Sequence, residues 1–244
     1  MIPIPWPSPE LASFRAFLYN RPLRMWRQVP NLITTSRLVL AIVFFVLLSW
    51  YQYEGRGHST LLTWAFFVCL VAISTDFIDG YLARKWKVES RFGRVVDPFV
   101  DKILVLGSFV FFAGKNFVIV SAIVEGERRV AHTITGVTPT MVVIILGREL
   151  LVTSLRGLAE SSGIQFGADW SGKLKMILQS VTILVILAYV YGLGFTQPHP
   201  DLNAGTLGYW TIFRDVMIWL TLAVTVWSAV GYVRKSMVAI RAAT

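Results

Sequence analysis

Residues 74–101 read STDFIDGYLARKWKVESRFGRVVDPFVD, and this stretch decides how the chain folds. Asp76 and Asp79 close one apolar run, and Asp97 and Asp101 open the next. Ionisable groups at such places are costly and usually functional. At about 100° per residue, Asp76, Asp79 and Ala83 share one helix face, while Asp97 and Asp101, four apart, share another. The connection between the runs is short. The two helices are therefore expected to be antiparallel neighbours whose carboxylates converge at a membrane boundary.

Working outward, apolar runs of span length lie near 33–53, 60–83, 94–114, 138–158, 172–194 and 210–233. A bilayer helix needs about 20 predominantly apolar residues. Hydrophobic residues make up 55% of the 244-residue chain and charged residues only 15%, with a mean hydropathy of +0.61. Soluble domains carry about 25% charged residues. The expected class is therefore an all-α, polytopic membrane protein with six transmembrane helices. Long uninterrupted runs, in place of alternating segments, exclude a β-barrel.

Residues 1–30 form an N-terminal cytoplasmic or interfacial segment. Pro3, Pro5, Pro7 and Pro9 keep its start irregular, while Leu11, Phe14 and Leu18 recur at helical spacing among arginines. That pattern suits an amphipathic helix lying on the membrane surface, ended or kinked at Pro22. A disordered basic tail is the plainer alternative. The basic residues precede any long apolar run, unlike a signal peptide. The membrane domain spans 31–235 and a short tail 236–244. Segments 125–138 and 195–208 read as a polar excursion and a loop.

The net charge of +9 would point to nucleic acid in a soluble protein. Here it marks loops facing anionic lipid, and no nucleic-acid partner is expected. Arg15, Arg21, Arg24 and Arg27, then Arg84, Lys85, Lys87, Arg91 and Arg94, then Arg234, Lys235 and Arg241 all fall on one side of a six-span chain. The positive-inside rule puts both termini and the aspartate loop in the cytoplasm, in the cytoplasmic (inner) membrane.

Four carboxylates in one place repel one another and cannot all stay ionised unaided. Cations resolve this, and oxygen ligands favour Mg²⁺ or Mn²⁺. No histidine lies near the aspartates in sequence, and Cys69, the only cysteine, is about two helical turns before Asp76, which argues against zinc. Two metals bridged by carboxylates suit in-line displacement at phosphorus. Gly80 and Gly93 allow close approach to the backbone, and Arg84 supplies a planar cation for a phosphate. Isolated aspartates at helix ends could equally be solvated termini.

The complete pattern is Asp76-x2-Asp79-Gly80-x2-Ala83-Arg84-x8-Gly93-x3-Asp97-x3-Asp101. It resembles the signature of the CDP-alcohol phosphotransferases at every position. The resemblance implies that Asp76, Asp79, Asp97 and Asp101 hold two divalent cations and that Asp101 accepts the proton of the attacking hydroxyl. It further implies that Asn31, Thr34, Gly80, Ala83, Arg84, Ser90 and Gly93 line the CDP-lipid site, and that the enzyme is a homodimer.

A second polar cluster is Arg148, Glu149, Arg156 and Lys173. Arg148 and Arg156 lie about 80° apart around a helix and roughly 12 Å along it. Three cations opening toward the aspartates would bind an anionic acceptor; snorkelling arginines with an Arg148–Glu149 contact are the plainer alternative. Arg148-Glu-Leu-Leu-Val-Thr-Ser-Leu-Arg156, Gly172-Lys173-Leu-Lys175 and Pro30–Leu38 are similar to phosphatidylglycerophosphate synthases, with departures at Gly157, Met176 and the long 125–138 insertion. That resemblance implies CDP-diacylglycerol and sn-glycerol 3-phosphate as substrates, with Arg148, Arg156 and Lys173 on the acceptor phosphate. Inositol phosphate and phosphatidylglycerol are the alternative acceptors. A cation or proton transporter is the rival from another class; aspartates gathered at one boundary beside arginines, with no repeat symmetry, count against it.

Asp101→Asn is expected to lower turnover by at least roughly 100-fold while CDP-lipid binding stays measurable. Near-normal turnover would remove Asp101 as the proton acceptor.

Overall fold

The computed structural model describes residues 29–53, 59–86, 91–122, 129–161, 170–196 and 204–243. The expected interfacial helix within 1–30 lies almost entirely outside them. Among the described residues there are six long helices: α1 (Val29–Trp50), α2 (Ser59–Trp86), α3 (Arg91–Phe112), α4 (Pro139–Ser161), α5 (Trp170–Thr196) and α6 (Ala204–Ala243). Each coincides with one of the apolar runs. α6 continues past the run's expected end at 233 and takes up most of the tail.

Chain chemistry sets local boundaries. Pro139 occupies the first position of α4, where its missing N–H costs nothing. Thr138 precedes it, and its Oγ1 accepts from the Met141 N–H at 3.4 Å, a capping contact. Pro98 sits inside α3 directly after Asp97, so the Arg94 carbonyl lacks its usual helical donor.

The all-α expectation needs one correction. Between α3 and α4 lie a single 3₁₀ turn (Lys115–Phe117) and two strands, β1 (Val118–Ala122) and β2 (Arg129–Thr133). They pair antiparallel, from Val118 opposite Thr133 to Ala122 opposite Arg129. Part of the segment expected to be a polar excursion is thus a β-hairpin. The charges at Glu125, Glu127, Arg128 and Arg129 drew the reading, whereas the flanking β-branched residues Val118, Ile119, Val120 and Val130 carry the strand preference.

The hairpin is seated on the bundle end. Asn116 Nδ2 donates to the carbonyls of Leu48 and Ser49 at 3.0 and 3.2 Å, which would otherwise be unpaired at the end of α1. Thr135 Oγ1 donates to the Phe112 carbonyl at the end of α3 (2.7 Å). Buried Arg214 of α6 donates to the Ile134 carbonyl, pairs with Asp215 at 2.6 Å and lies over the Tyr189 ring. Gly136 has φ +74°, and a Cβ there would fall 2.9 Å from Asp215, so the turn requires glycine.

Principal helix contacts trace a closed circuit in the order α1, α2, α5, α6, α4, α3 and back to α1, with α3 also touching α5. α1 is the shared neighbour of α2 and α3. The direct α2–α3 packing expected from their short connection is not among the principal contacts of the described residues. α1 and α3 pack tightly at Gly107, where a Cβ would run into the Phe45 ring. Phe45 in turn stacks on Phe111 with centroids 5.3 Å apart.

Outward faces are apolar: Val39, Val43, Trp64, Phe67, Val143, Leu150, Trp219 and Trp227 are all exposed. Inside, Gln179, Thr182, Thr221, Thr225 and Ser228 are buried. Thr182 and Thr221 bond at 2.7 Å across the α5–α6 contact. Polar side chains joining helices beneath an apolar exterior are characteristic of bilayer proteins. Segments Trp170–Leu193 of α5 and Gly208–Met237 of α6 are long and apolar enough to cross a membrane. The protein is membrane-associated.

Gly107→Val is expected to lower stability by about 1–3 kcal/mol through overpacking against Phe45. Thermal inactivation in detergent measures this; an unchanged midpoint would mean that α1 and α3 separate freely.

Candidate active site

Helix α2 carries Asp76, Asp79, Gly80, Ala83 and Arg84 in its last three turns, and α3 carries Gly93, Asp97 and Asp101 in its first three. Both segments flank the 87–90 connection, so the motif lies at one end of the bundle, opposite the hairpin. Asn31 and Thr34 lie in the first turns of α1, whose start is at the same end. The side chains of these residues lie outside the described ones, and Ser90 lies outside them altogether. As a donor set, four carboxylates on two helix ends linked by a short connection have the chemistry that hard divalent cations take. Arg37, buried on α1 three residues after Thr34, is a charged group to which the sequence reading gave no role.

The second cluster is described in full where α4, α5 and α6 meet. Its centre is Glu149, 7% exposed. Glu149 Oε1 accepts from Arg148 Nη1 at 2.8 Å and also from Lys175 Nζ, which is itself 5% exposed. Ser228 Oγ on α6 accepts from Arg148 Nε (3.2 Å) and Nη2 (2.9 Å), and donates to the Thr225 carbonyl (2.9 Å). Gln179 Nε2 on α5 reaches Thr225 Oγ1 at 3.5 Å.

A further strand of bonds leads to α3. Lys102, the residue after Asp101, donates through Nζ to Thr153 Oγ1. Thr153 Oγ1 donates to the Glu149 carbonyl at 2.7 Å. The helix that carries Asp97 and Asp101 is thereby tied to the helix that carries Arg148 and Glu149.

The three cations expected to act together are therefore placed differently. Arg148 belongs to the buried cluster. Arg156, two turns further along α4, is exposed and lies 6.0 Å from the centroid of the Tyr232 ring, at the outer limit of a cation–π contact. Lys173 is exposed, whereas Lys175 is the α5 lysine inside the cluster. The sequence reading names Lys173 for this cluster. The difference of two positions between these lysines is about 200° around a helix, so only one can turn inward. Lys102 and Ser228 were also missed. Lys102 stands next to a conspicuous aspartate, and Ser228 is one of many hydroxyls in an apolar run.

A family model described as CDP-alcohol phosphatidyltransferase matches residues 27–227. The CDP-diacylglycerol–glycerol-3-phosphate 3-phosphatidyltransferase of Haemophilus influenzae is 30% identical over 210 residues, covering 84% of this chain and 91% of that protein. The enzyme of the same name from Bacillus subtilis is 26% identical over 219 residues, covering 87% and 97%. That from Yersinia pestis (strain Pestoides F) is 28% identical over 218 residues, covering 87% and 96%.

Lys175→Met leaves the Glu149 carboxylate buried with one partner fewer and is expected to destabilise the protein by roughly 3–5 kcal/mol. Lys173→Met, at an exposed position, should change stability by no more than about 0.5 kcal/mol. Equal shifts in thermal unfolding would show that Lys175 is not the buried partner.

Proposed function

The chain belongs to the CDP-alcohol phosphatidyltransferase family, and we propose that it transfers the phosphatidyl group of CDP-diacylglycerol to sn-glycerol 3-phosphate, forming phosphatidylglycerophosphate and CMP in phospholipid biosynthesis. The observation that carries this reading is the complete aspartate–glycine–arginine motif between Asp76 and Asp101, held by a chain whose relatives over most of its length bear that activity in their names.

Asp76, Asp79, Asp97 and Asp101 would hold two divalent cations, Mg²⁺ or Mn²⁺. Such ions, when bound, neutralise diphosphate charge and acidify a nearby hydroxyl. Asn31, Thr34, Gly80, Ala83, Arg84, Ser90 and Gly93 hold the CDP portion, with the glycines leaving room for phosphate and sugar. Asp101 takes the proton of the acceptor hydroxyl. The hydroxyl oxygen forms a bond to the lipid-side phosphorus, and the bond from that phosphorus to the CMP oxygen breaks. Arg148, Arg156 and Lys173 attract the acceptor phosphate, and apolar helix walls limit hydrolysis of the activated lipid.

All six helices cross the membrane in this reading, with both termini and the aspartate end facing the cytoplasm, and the protein acts as a homodimer. Support for the orientation comes from the basic loops at the aspartate end.

An acceptor panel tests the assignment. Purified protein with Mg²⁺ and CDP-diacylglycerol should release CMP with sn-glycerol 3-phosphate, and not with inositol phosphate or phosphatidylglycerol. Release with one of the other acceptors alone would move the substrate within the family; no release with any alcohol would overturn the reading. Arg156→Ala should raise the acceptor KM or lower kcat/KM for that substrate, and an unchanged acceptor dependence would place the pocket elsewhere.

A further inference from the structure

We infer that Glu149 is a positioning residue for the acceptor: a buried carboxylate that holds Arg148 and Lys175 in fixed places so that they meet a phosphomonoester together. The inference rests on the acceptor reading above and adds to it both Glu149 and the lysine at 175.

Glu149 Oε1 receives bonds from Arg148 of the same helix and Lys175 of α5. Two cations brought this close in an apolar bundle would repel strongly without an anion between them. Ser228 holds the far side of the Arg148 guanidinium through two of its nitrogens. Arg148 is thus fixed from α4 and α6, and Lys175 is fixed from α4. Long cationic side chains lose much rotamer freedom on binding a ligand. Here that freedom is lost in the fold, before any ligand arrives.

Charge balance points to the ligand. Lys102 of α3 adds a third cation beside this group. Its Nζ rests on Thr153, one turn from Glu149. Among the described residues, these three cations outnumber the one carboxylate bonded to them, so the group carries excess positive charge. A phosphomonoester carries close to two negative charges at neutral pH. A neutral alcohol would leave the excess in place, and a phosphodiester, with a single charge, would offset less of it than a phosphomonoester. Lys102 also follows Asp101 directly, so the excess charge borders the helix turn that carries the proposed proton acceptor.

A purely structural role for Glu149 would be to neutralise Arg148 and Lys175, with no consequence for the substrate. The two roles separate in kinetics. Glu149→Gln, assayed by CMP release with CDP-diacylglycerol and varied sn-glycerol 3-phosphate, is expected to raise the acceptor KM by about tenfold or more, as for other buried charge pairs broken on one side. The KM for CDP-diacylglycerol should stay within about twofold. Glu149→Asp, which keeps the charge, should recover part of the acceptor affinity.

Ser228→Ala removes the second support of Arg148 without leaving an uncompensated carboxylate. It is expected to raise the acceptor KM in the same selective way, and it decides the matter if the Glu149 variants do not fold. An unchanged acceptor KM, or equal changes for both substrates, would overturn the positioning role. Wild-type protein that releases no CMP with sn-glycerol 3-phosphate would instead overturn the acceptor reading itself.

Discussion

A charge inside an apolar bundle must have a partner, and that constraint organises both ends of this structure. Desolvating a carboxylate or a guanidinium costs several kcal/mol or more unless its bonds are replaced. At one level of the bundle Glu149 meets the demand for Arg148 and Lys175, joining α4 and α5, while Ser228 brings in α6. At the hairpin end Arg214 does the same, between Asp215, the Ile134 carbonyl and the Tyr189 ring. Each group leaves few arrangements of its helices that do not strand a charge.

The rest of the packing is compatible with these ties but less selective. Lipid tails are as apolar as the helix faces, so burial of leucine and valine gives little drive for one neighbour over another. Close approach and hydroxyl bonds supply the distinction: Gly107 under Phe45 between α1 and α3, and Thr182 with Thr221 between α5 and α6. The closed circuit of helices follows. It places α1 against both motif-bearing helices, and it links α3 to α4 through Lys102 and Thr153.

Function grows from the same economy of charge. The family motif puts four aspartates at the bundle end where the basic loops lie, and the Glu149 group stands on helices that reach that end. A substrate with a diphosphate and a partner with a phosphate each bring negative charge to a membrane surface. In the proposed reading, the four carboxylates would hold divalent cations for the first, and the Glu149 group would meet the second. On that reading, a single fold would handle two anions by different means.

Much of this was legible in the chain itself. Six apolar runs became six helices, because hydropathy and length are local properties that need no partner to read. The motif from Asp76 to Asp101 could be read from residue identities and their spacing along the chain. The sequence also marked Arg148 and Glu149 as a charged interruption of an apolar run. It did not reveal the pairing of β1 with β2, where the charges between the two β-branched segments pointed to a polar excursion, or the order of helices around the circuit. It named Lys173 where Lys175 is the buried partner of Glu149, and it did not single out Ser228 and Lys102. Those were decided by tertiary structure, because each depends on which helix faces meet, and a buried charge finds its partner across space and not along the chain.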